Sequence, residues 1–390
     1  MKRNELVTLV VMLIIATLWP LFCNWYDNDY GDRKYEQAAR SRPGVTGHYE
    51  PQLLSHRLIE FDRLSGIASE ERASLAFGNT QAWLSDVRKQ CNRDLSNQGY
   101  LACANQLLGQ HFFYLPSQAV SDGWADHYSD CDLNAYLLMD AMHLAGREAD
   151  IVYAPHHAFI SYKDEITREA LYWETTRKHN TGDIADLRLS FYRKTPSHFY
   201  YTPEPAAHAE SIYPALVIDK ITPADKRHAL LINLHQHYPD NSFVQDAWYE
   251  QKSVITREDA QLLLSLLKTD ITSVSKRLLL VSYFLNQNEE NKAKQVLSEI
   301  SDEDCNGACL RLKSQQSVSY RFALWGLSQL RDLNVRISLS DFFAGIIESG
   351  YYYLGIISLF AIYKIMTIWS LTISRKRSHP EPQHQDNNAG

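Results

Sequence analysis

Three short stretches decide the fold: DCDLNAYLLMDAMHLAG at residues 130–146, ADIVYAPHHAFISY at 149–162 and LYWETT at 171–176. The first is apolar on nearly every side, which is typical of a buried helix, and Gly146 stands where such a helix ends. Asp130 is a good N-cap residue, so we predict Cys131 in the first helical turn. The other two stretches have the apolar and aromatic pattern of short strands. Together they predict an α+β domain in which a buried cysteine helix precedes an antiparallel sheet.

The same stretches contain a cysteine, a histidine and an acid in the order of a thiol catalytic site. Cys131 opens the helix, where backbone N–H groups and the positive end of the helix dipole favour thiolate. His157 near the start of one strand can face Glu174 near the end of the next. The acid would orient the imidazole, which would deprotonate the thiol. His156 is a rival base, but it would point to the opposite face, so we prefer His157.

These residues resemble the transglutaminase-like superfamily, whose members have a papain-like fold. The matching parts are Cys131 at the start of a buried helix, a Leu-Ala-Gly ending at 144–146, His-Ala-Phe at 157–159 and Trp-Glu-Thr-Thr at 173–176. The resemblance implies that Cys131 is the nucleophile, His157 the general base and acid, and Glu174 the orienting acid. It also implies acyl transfer on amide or peptide bonds, with hydrolysis a commoner outcome than cross-linking. Envelope proteins or peptides would be the substrates.

Two departures from the family pattern leave a second interpretation open. The orienting acid is usually Asp rather than Glu174, and many members have Gly where this chain has Asp130. An anion at that position would oppose formation of the thiolate. The alternative is a catalytically silent domain that serves as a protein-binding or assembly module in the cell envelope.

A metal site made of His127, Cys131, His143, His156 and His157 is the third alternative for this region. The five residues lack the CxxC and HExxH spacings that are typical of zinc sites. We therefore expect neither a metal nor a cofactor.

Both ends of the chain carry a hydrophobic run with basic residues on its outer side. Residues 6–23 have no charge and follow Lys2 and Arg3, and residues 351–373 precede a basic cluster at 375–377. Each run suits a spanning helix of about 20 residues. By the positive-inside rule, both termini are cytoplasmic and the main body is periplasmic, which predicts a two-pass protein of the bacterial inner membrane.

The first run ends in bulky aromatic residues without a small-residue cleavage site, which favours an uncleaved anchor. Acylation of Cys23 as a lipoprotein is the alternative, although the usual small residues before such a cysteine are missing. Lys364 lies near the middle of the second run, where a charge is costly.

The six cysteines fit an oxidising compartment. We predict that Cys91 pairs with Cys103, which is 12 residues away, and that Cys305 pairs with Cys309. Cys131 would then be the unpaired cysteine of the exported part, in agreement with its catalytic assignment.

The rest of the chain gives the domain organisation. Residues 205–335 have helical character, and the pair 273–286 and 289–300 resembles a tetratricopeptide-like hairpin, which would offer a surface for a protein partner. A net charge of −7 argues against nucleic acid as a partner. We predict an anchor at 1–25, a linker at 26–51, the transglutaminase-like domain at 52–204, a helical region at 205–335, a membrane helix at 343–374 and a disordered cytoplasmic tail at 375–390.

Overall fold

The computed structural model describes residues 36–38, 40–117, 119–305 and 307–332, together with positions 339, 342–344, 347 and 365–366. The contacts divide the chain into two compact units. One comprises residues 31–313 and contains the candidate site, and the other combines residues 1–30 with 314–390. Of the second unit, the structure describes the helix Val318–Asp332 and a few further positions.

Helices precede the sheet in the unit of residues 31–313. Their starts follow from the sequence, because Ser69, Ser96 and Asp130 each accept a hydrogen bond from a backbone N–H of the first turn. The last of these caps places Cys131 at the first helical residue, as predicted. The helices are α1 (Leu54–Leu64), α2 (Glu70–Gln90), α3 (Asn97–His111), α4 (Val120–Ala125) and α5 (Cys131–Leu144).

The antiparallel sheet has the three strands that the sequence predicts, and it has two more. The predicted strands are β3 (Ala149–Ala154), β4 (His157–Lys163) and β5 (Ala170–Glu174); a short parallel pair, β1 (Phe113–Tyr114) and β2 (Tyr128–Ser129), precedes them. The added edge strands β6 (Asp183–Ile184) and β7 (Pro203–Glu204) give the order β6-β5-β4-β3-β7. These two edge strands show no alternation in the sequence, because each has only two residues. The α+β class and the antiparallel sheet are confirmed.

Helix α5 lies at the centre of the packing. It packs against β3 and β4 and also against α1 and α3, and Tyr136 and Leu137 are completely buried. Asp140 accepts hydrogen bonds from the N–H groups of Leu54 (2.7 Å) and Ser55 (2.8 Å), which otherwise lack partners in the first turn of α1. The helix that begins with Cys131 is therefore held by both apolar and polar contacts.

Two disulfides confirm the predicted cysteine pairing. Cys91 is bonded to Cys103, which links the end of α2 to α3, and Cys305 is bonded to Cys309. Within the part of the chain that the structure describes, Cys131 is the cysteine that remains unpaired.

The remainder of this unit is helical. The hairpin predicted at 273–286 and 289–300 is present, and Thr256 forms a capping box with Asp259. The helix that begins at Ala224 has no side-chain cap, and a 3₁₀ turn (Ile218–Lys220) and Pro223 precede it. The helices are α6 (Arg177–Asn180), α7 (Ala206–Leu216), α8 (Ala224–His237), α9 (Ser242–Glu250), α10 (Arg257–Leu266), α11 (Val274–Asn286), α12 (Glu290–Ser298) and α13 (Gly307–Gln316); the helix Val318–Asp332 is α14.

The two predicted membrane spans fall on residues that the structure does not describe. The anchor at 1–25 lies entirely outside the described residues, and so does the span at 343–374 apart from a few positions. Among the described helices, none has both the length and the apolar character that crossing a membrane requires. The tail at 375–390 also lies outside the described residues.

Candidate functional site

Cys131 lies at the N-terminal end of α5, where the local sequence directs it. The Asp130 side chain caps the helix by accepting a hydrogen bond from the N–H of Leu133. Among the described residues, no acceptor is found for the N–H of Cys131 itself. That N–H can donate to an oxyanion that forms next to the sulfur.

His157 is brought to Cys131 by the first residues of β4. The N–H of the next residue, Ala158, donates a hydrogen bond to the Cys131 sulfur. In β4, His157 pairs with Ala154 of β3, and this pairing fixes its position on the sheet. Within the described residues, the His157 ring forms a hydrogen bond with Glu174 and does not form one with the Cys131 sulfur. The structure thus brings the cysteine and the histidine into one site without a direct bond between them.

Glu174, at the end of β5, is the partner of the histidine. Nε2 of His157 lies 2.6 Å from Oε2 of Glu174. The other carboxylate oxygen accepts hydrogen bonds from the N–H (3.0 Å) and hydroxyl (2.8 Å) of Thr176. Burial alone would raise the pKa of Glu174, but the hydrogen bonds and charge of His157, together with Thr176, lower that pKa to about 2.

This carboxylate determines the role of each imidazole nitrogen. Glu174 is ionised at neutral pH and can only accept hydrogen bonds, so Nε2 of His157 carries the hydrogen. In the neutral ring, Nδ1 is then left with a free lone pair. A nitrogen in this state can take a proton from a thiol, and the carboxylate stabilises the imidazolium that results.

The electrostatics around the thiol favour its neutral form. Burial, then Asp132 and then Asp130 raise the pKa of Cys131 well above its usual value, and the hydrogen bond from Ala158 partly offsets them. Burial and a hydrogen bond with Asp132 also raise the pKa of Asp130 well above the ordinary range. Asp130 therefore retains a proton more readily than the sequence suggested, which lessens its negative charge beside the sulfur.

Three buried asparagines connect α5 to the residues that follow Glu174: Asn105, Asn134 and Asn180. The side chains of Asn105 and Asn134 both donate to the carbonyl of Thr175, at 3.1 and 3.3 Å, and Asn134 also donates to the side chain of Asn180 at 2.9 Å. The Thr175 hydroxyl donates to the Cys131 carbonyl at 3.3 Å. This network sets the distance between the cysteine and the acid.

Three aromatic residues of the site were not predicted. The Tyr192 hydroxyl donates to Oε2 of Glu174 at 3.0 Å. The Phe191 ring packs edge-on against His157, with ring centroids 5.0 Å apart. Burial, and then the charge of Cys131, raise the pKa of Tyr114.

Two aromatic side chains from the residues just before Cys131 have other partners. The Trp124 side chain is completely buried in the core, where apolar packing against α2 and its neighbours favours it. The Tyr128 ring lies under the guanidinium group of Arg40 and packs edge-on against Phe113.

The other histidines considered for a metal site have contacts of their own. His156 faces Asp304, with Nε2 and Oδ1 3.8 Å apart, and Nδ1 of His127 contacts the carbonyl of His111. His143 lies in the last turn of α5, at the end remote from Cys131. Within the ranges that the structure describes, no group of three or more His, Cys, Asp or Glu side chains could hold a metal ion.

Comparisons with known proteins do not supply a family. No protein-family profile matches the chain, and no curated protein matches its sequence. Among solved structures the chain is similar to menin, from a crystal structure described as revealing the binding site for the Mixed Lineage Leukemia protein. That similarity covers 69% of this chain and 68% of menin, with 11% identity and a TM-score of 0.40. A similarity this low carries no argument, so the function must be inferred from the site.

Proposed function

We propose that this chain is a transglutaminase-like thiol enzyme that performs acyl transfer on amide or peptide bonds through Cys131, His157 and Glu174. One observation carries the proposal. The His157 imidazole is bonded to a carboxylate on one side, and the neighbouring N–H of Ala158 is bonded to the sulfur of a helix-terminal cysteine. A structural cysteine in the core does not require a hydrogen-bonded histidine–carboxylate pair beside it.

The reaction begins from the neutral thiol, because the surroundings of Cys131 raise its pKa. Nδ1 of His157 accepts the thiol proton as the sulfur attacks the substrate carbonyl, and Glu174 stabilises the imidazolium. The N–H of Cys131 stabilises the oxyanion of the tetrahedral intermediate. His157 then returns the proton to the leaving amine, and a thioester forms at Cys131. Water attacks the thioester in hydrolysis, and an amine attacks it in cross-linking.

The cellular setting is part of the same proposal. The chain would be held in a bacterial inner membrane by the spans at 1–25 and 343–374, with both termini in the cytoplasm and the main body in the periplasm. Hydrolysis of envelope proteins or peptides is the expected reaction. The helical region 205–335 would offer a surface for a protein partner.

A second candidate function has a specific observation in its favour. The raised pKa of the Cys131 thiol is the opposite of what a preformed thiolate nucleophile requires. The domain would then be catalytically silent and would bind or assemble envelope proteins.

The two functions are separated by acylation of Cys131. The full-length chain is mixed with an activated ester, p-nitrophenyl acetate, and release of nitrophenolate is followed by mass spectrometry of the cysteine peptide. The enzyme proposal predicts a stoichiometric burst and an acetyl group on Cys131, with no burst from Cys131→Ala. Absence of the burst from the wild-type chain, or acetylation at lysines alone, would contradict the proposal and favour the silent module.

A further inference from the structure

The segment 183–192, which follows Glu174 along the chain, carries three exposed apolar side chains. Ile184 is 54% exposed, Leu189 is 57% exposed and Phe191 is 62% exposed. Exposed apolar residues concentrated at one place are typical of a binding surface rather than of a solvated loop. Phe191 is the member of the group that the structure connects directly to the candidate site.

The exposed Phe191 ring has a fixed position beside the base. It packs edge-on against His157 and also against the ring of Tyr192, with centroids 5.2 Å apart. Tyr192 is bonded to Glu174, and the next residue, Arg193, forms ion pairs with Glu303 and Asp304. The two residues that follow Phe191 are both fixed by hydrogen bonds or ion pairs. The Phe191 ring therefore keeps its position beside His157 with its outer face exposed.

The charges around the site favour an uncharged side chain on the substrate. Asp132 lies next to Cys131, and Glu174 is a carboxylate at neutral pH. The nearby guanidinium groups of Arg177 and Arg188 are paired with Asp183 and Asp186. An acidic substrate residue would meet like charge and find its cationic neighbours already paired.

We propose, resting on the function proposed above, that the acyl donor is a peptide whose residue at the reacting carbonyl has an aromatic or large aliphatic side chain. This side chain packs on Phe191 beside His157. Acidic residues at that position are excluded. The Phe191 ring contacts the ring of His157, so a substrate residue that reaches the base also meets Phe191.

The proposal is tested with two peptidyl acyloxymethyl ketones that differ only in a phenylalanyl or a glycyl residue next to the ketone. In the labelling step the Cys131 sulfur bonds to the methylene carbon, the bond from that carbon to the carboxylate oxygen breaks, and the carboxylate leaves. The thiol proton passes to His157. The rate of thioether formation at Cys131 in the full-length chain is read by mass spectrometry.

The phenylalanyl reagent should label Cys131 at least about fivefold faster than the glycyl reagent, since it buries an aromatic ring. Phe191→Ser should remove this preference. The ratio of the two rates is compared within each variant, so a change in His157 reactivity from loss of the ring contact affects both reagents alike. Ile166→Ser is the matched control, because Ile166 is 91% exposed in the β4–β5 turn and should leave the preference intact.

The outcomes separate this inference from the proposed function. If both reagents label Cys131 at equal rates, or if Phe191→Ser keeps the preference, the substrate assignment is wrong and the thiol enzyme stands. If neither reagent labels Cys131 in the wild-type chain, the proposed function itself fails, and the substrate assignment fails with it.

Discussion

The imidazole of His157 and the carboxylate of Glu174 are joined at 2.6 Å across neighbouring antiparallel strands. The Glu174 side chain is longer than the Asp side chain of the family pattern that the sequence resembles, and its carboxylate reaches the ring. Thr176 and Tyr192 hold it from its other sides, so that the carboxylate has several donors and a fixed direction. Glu in place of Asp therefore does not prevent the pairing that a catalytic histidine needs.

Replacing this carboxylate should separate activity from folding. In Glu174→Gln the amide lacks the charge that stabilises the imidazolium, so Cys131 acylation should slow by about 100-fold or more. The free energy of unfolding should fall by only about 1–3 kcal/mol, because one buried acceptor becomes a donor. Acylation kinetics and thermal unfolding measure the two effects. Glu169→Gln, at an exposed position before β5, is the control; an equally slow control would contradict this role for Glu174.

The Tyr192 hydroxyl should act by positioning Glu174. Tyr192→Phe removes the 3.0 Å hydrogen bond and keeps the ring packing, so acylation should slow by about fivefold to tenfold with little change in thermal unfolding. Tyr201→Phe is a matched control, because its hydroxyl donates to the carbonyl of Arg193 in the same segment and not to Glu174. Equal losses in the two variants would mean that only the segment's stability matters.

Buried Asp62 should make stability fall as the pH rises. It accepts hydrogen bonds from Ser121 and Tyr213, but burial raises its pKa from 3.8 to about 6. The folded chain therefore binds the proton more tightly than the unfolded chain, and this group lowers the free energy of unfolding between about pH 4 and pH 6. Relative to Asp62→Asn, the wild-type chain should lose about 3 kcal/mol over this range.

Urea unfolding of both proteins at pH 4 and pH 7 measures this difference. Asp94→Asn, at an exposed position, should give the same pH dependence as the wild-type chain. A difference between wild type and Asp62→Asn that does not change with pH would contradict the raised pKa of Asp62.

The two disulfides determine how many free thiols the denatured chain should have. Removing one of them should lower the stability of the fold. Denatured without reductant, the full-length chain should titrate with no more than two thiols, Cys131 and Cys23, because the other four cysteines are paired. Replacing Cys91 and Cys103 together by Ser should lower the free energy of unfolding by about 2–4 kcal/mol, since the unfolded chain gains freedom. A count above two would show that a bond is missing.

The scaffold of the site could be predicted from the sequence, because the features that define it depend on residues close together in the chain. Helix α5 and strands β3 to β5 have clear periodicity, and the Asp130 cap fixes where the helix begins. The cysteine pairing followed from spacing. These features arise from residues close together in the chain, so their pattern is readable before any tertiary contact is known.

The parts that were missed depend on contacts between distant residues. Tyr192 and Phe191 belong to a segment without periodicity, and Arg193 holds that segment through Glu303 and Asp304, more than 100 positions away. The direction of the Asp130 effect was predicted correctly, since Asp130 raises the pKa of Cys131, but the protonation of Asp130 itself depends on tertiary contacts. In sequence it is an anion, but burial and the neighbouring Asp132 raise its pKa in the folded chain.

The most direct test of the account compares two adjacent histidines. The rate of Cys131 acylation by p-nitrophenyl acetate is measured in full-length His157→Ala and His156→Ala. We predict a loss of about 100-fold or more in His157→Ala, and a rate within about threefold of wild type in His156→Ala, whose ring faces Asp304. Equal rates in the two variants, or a larger loss in His156→Ala, would contradict the claim that His157 is the base for Cys131.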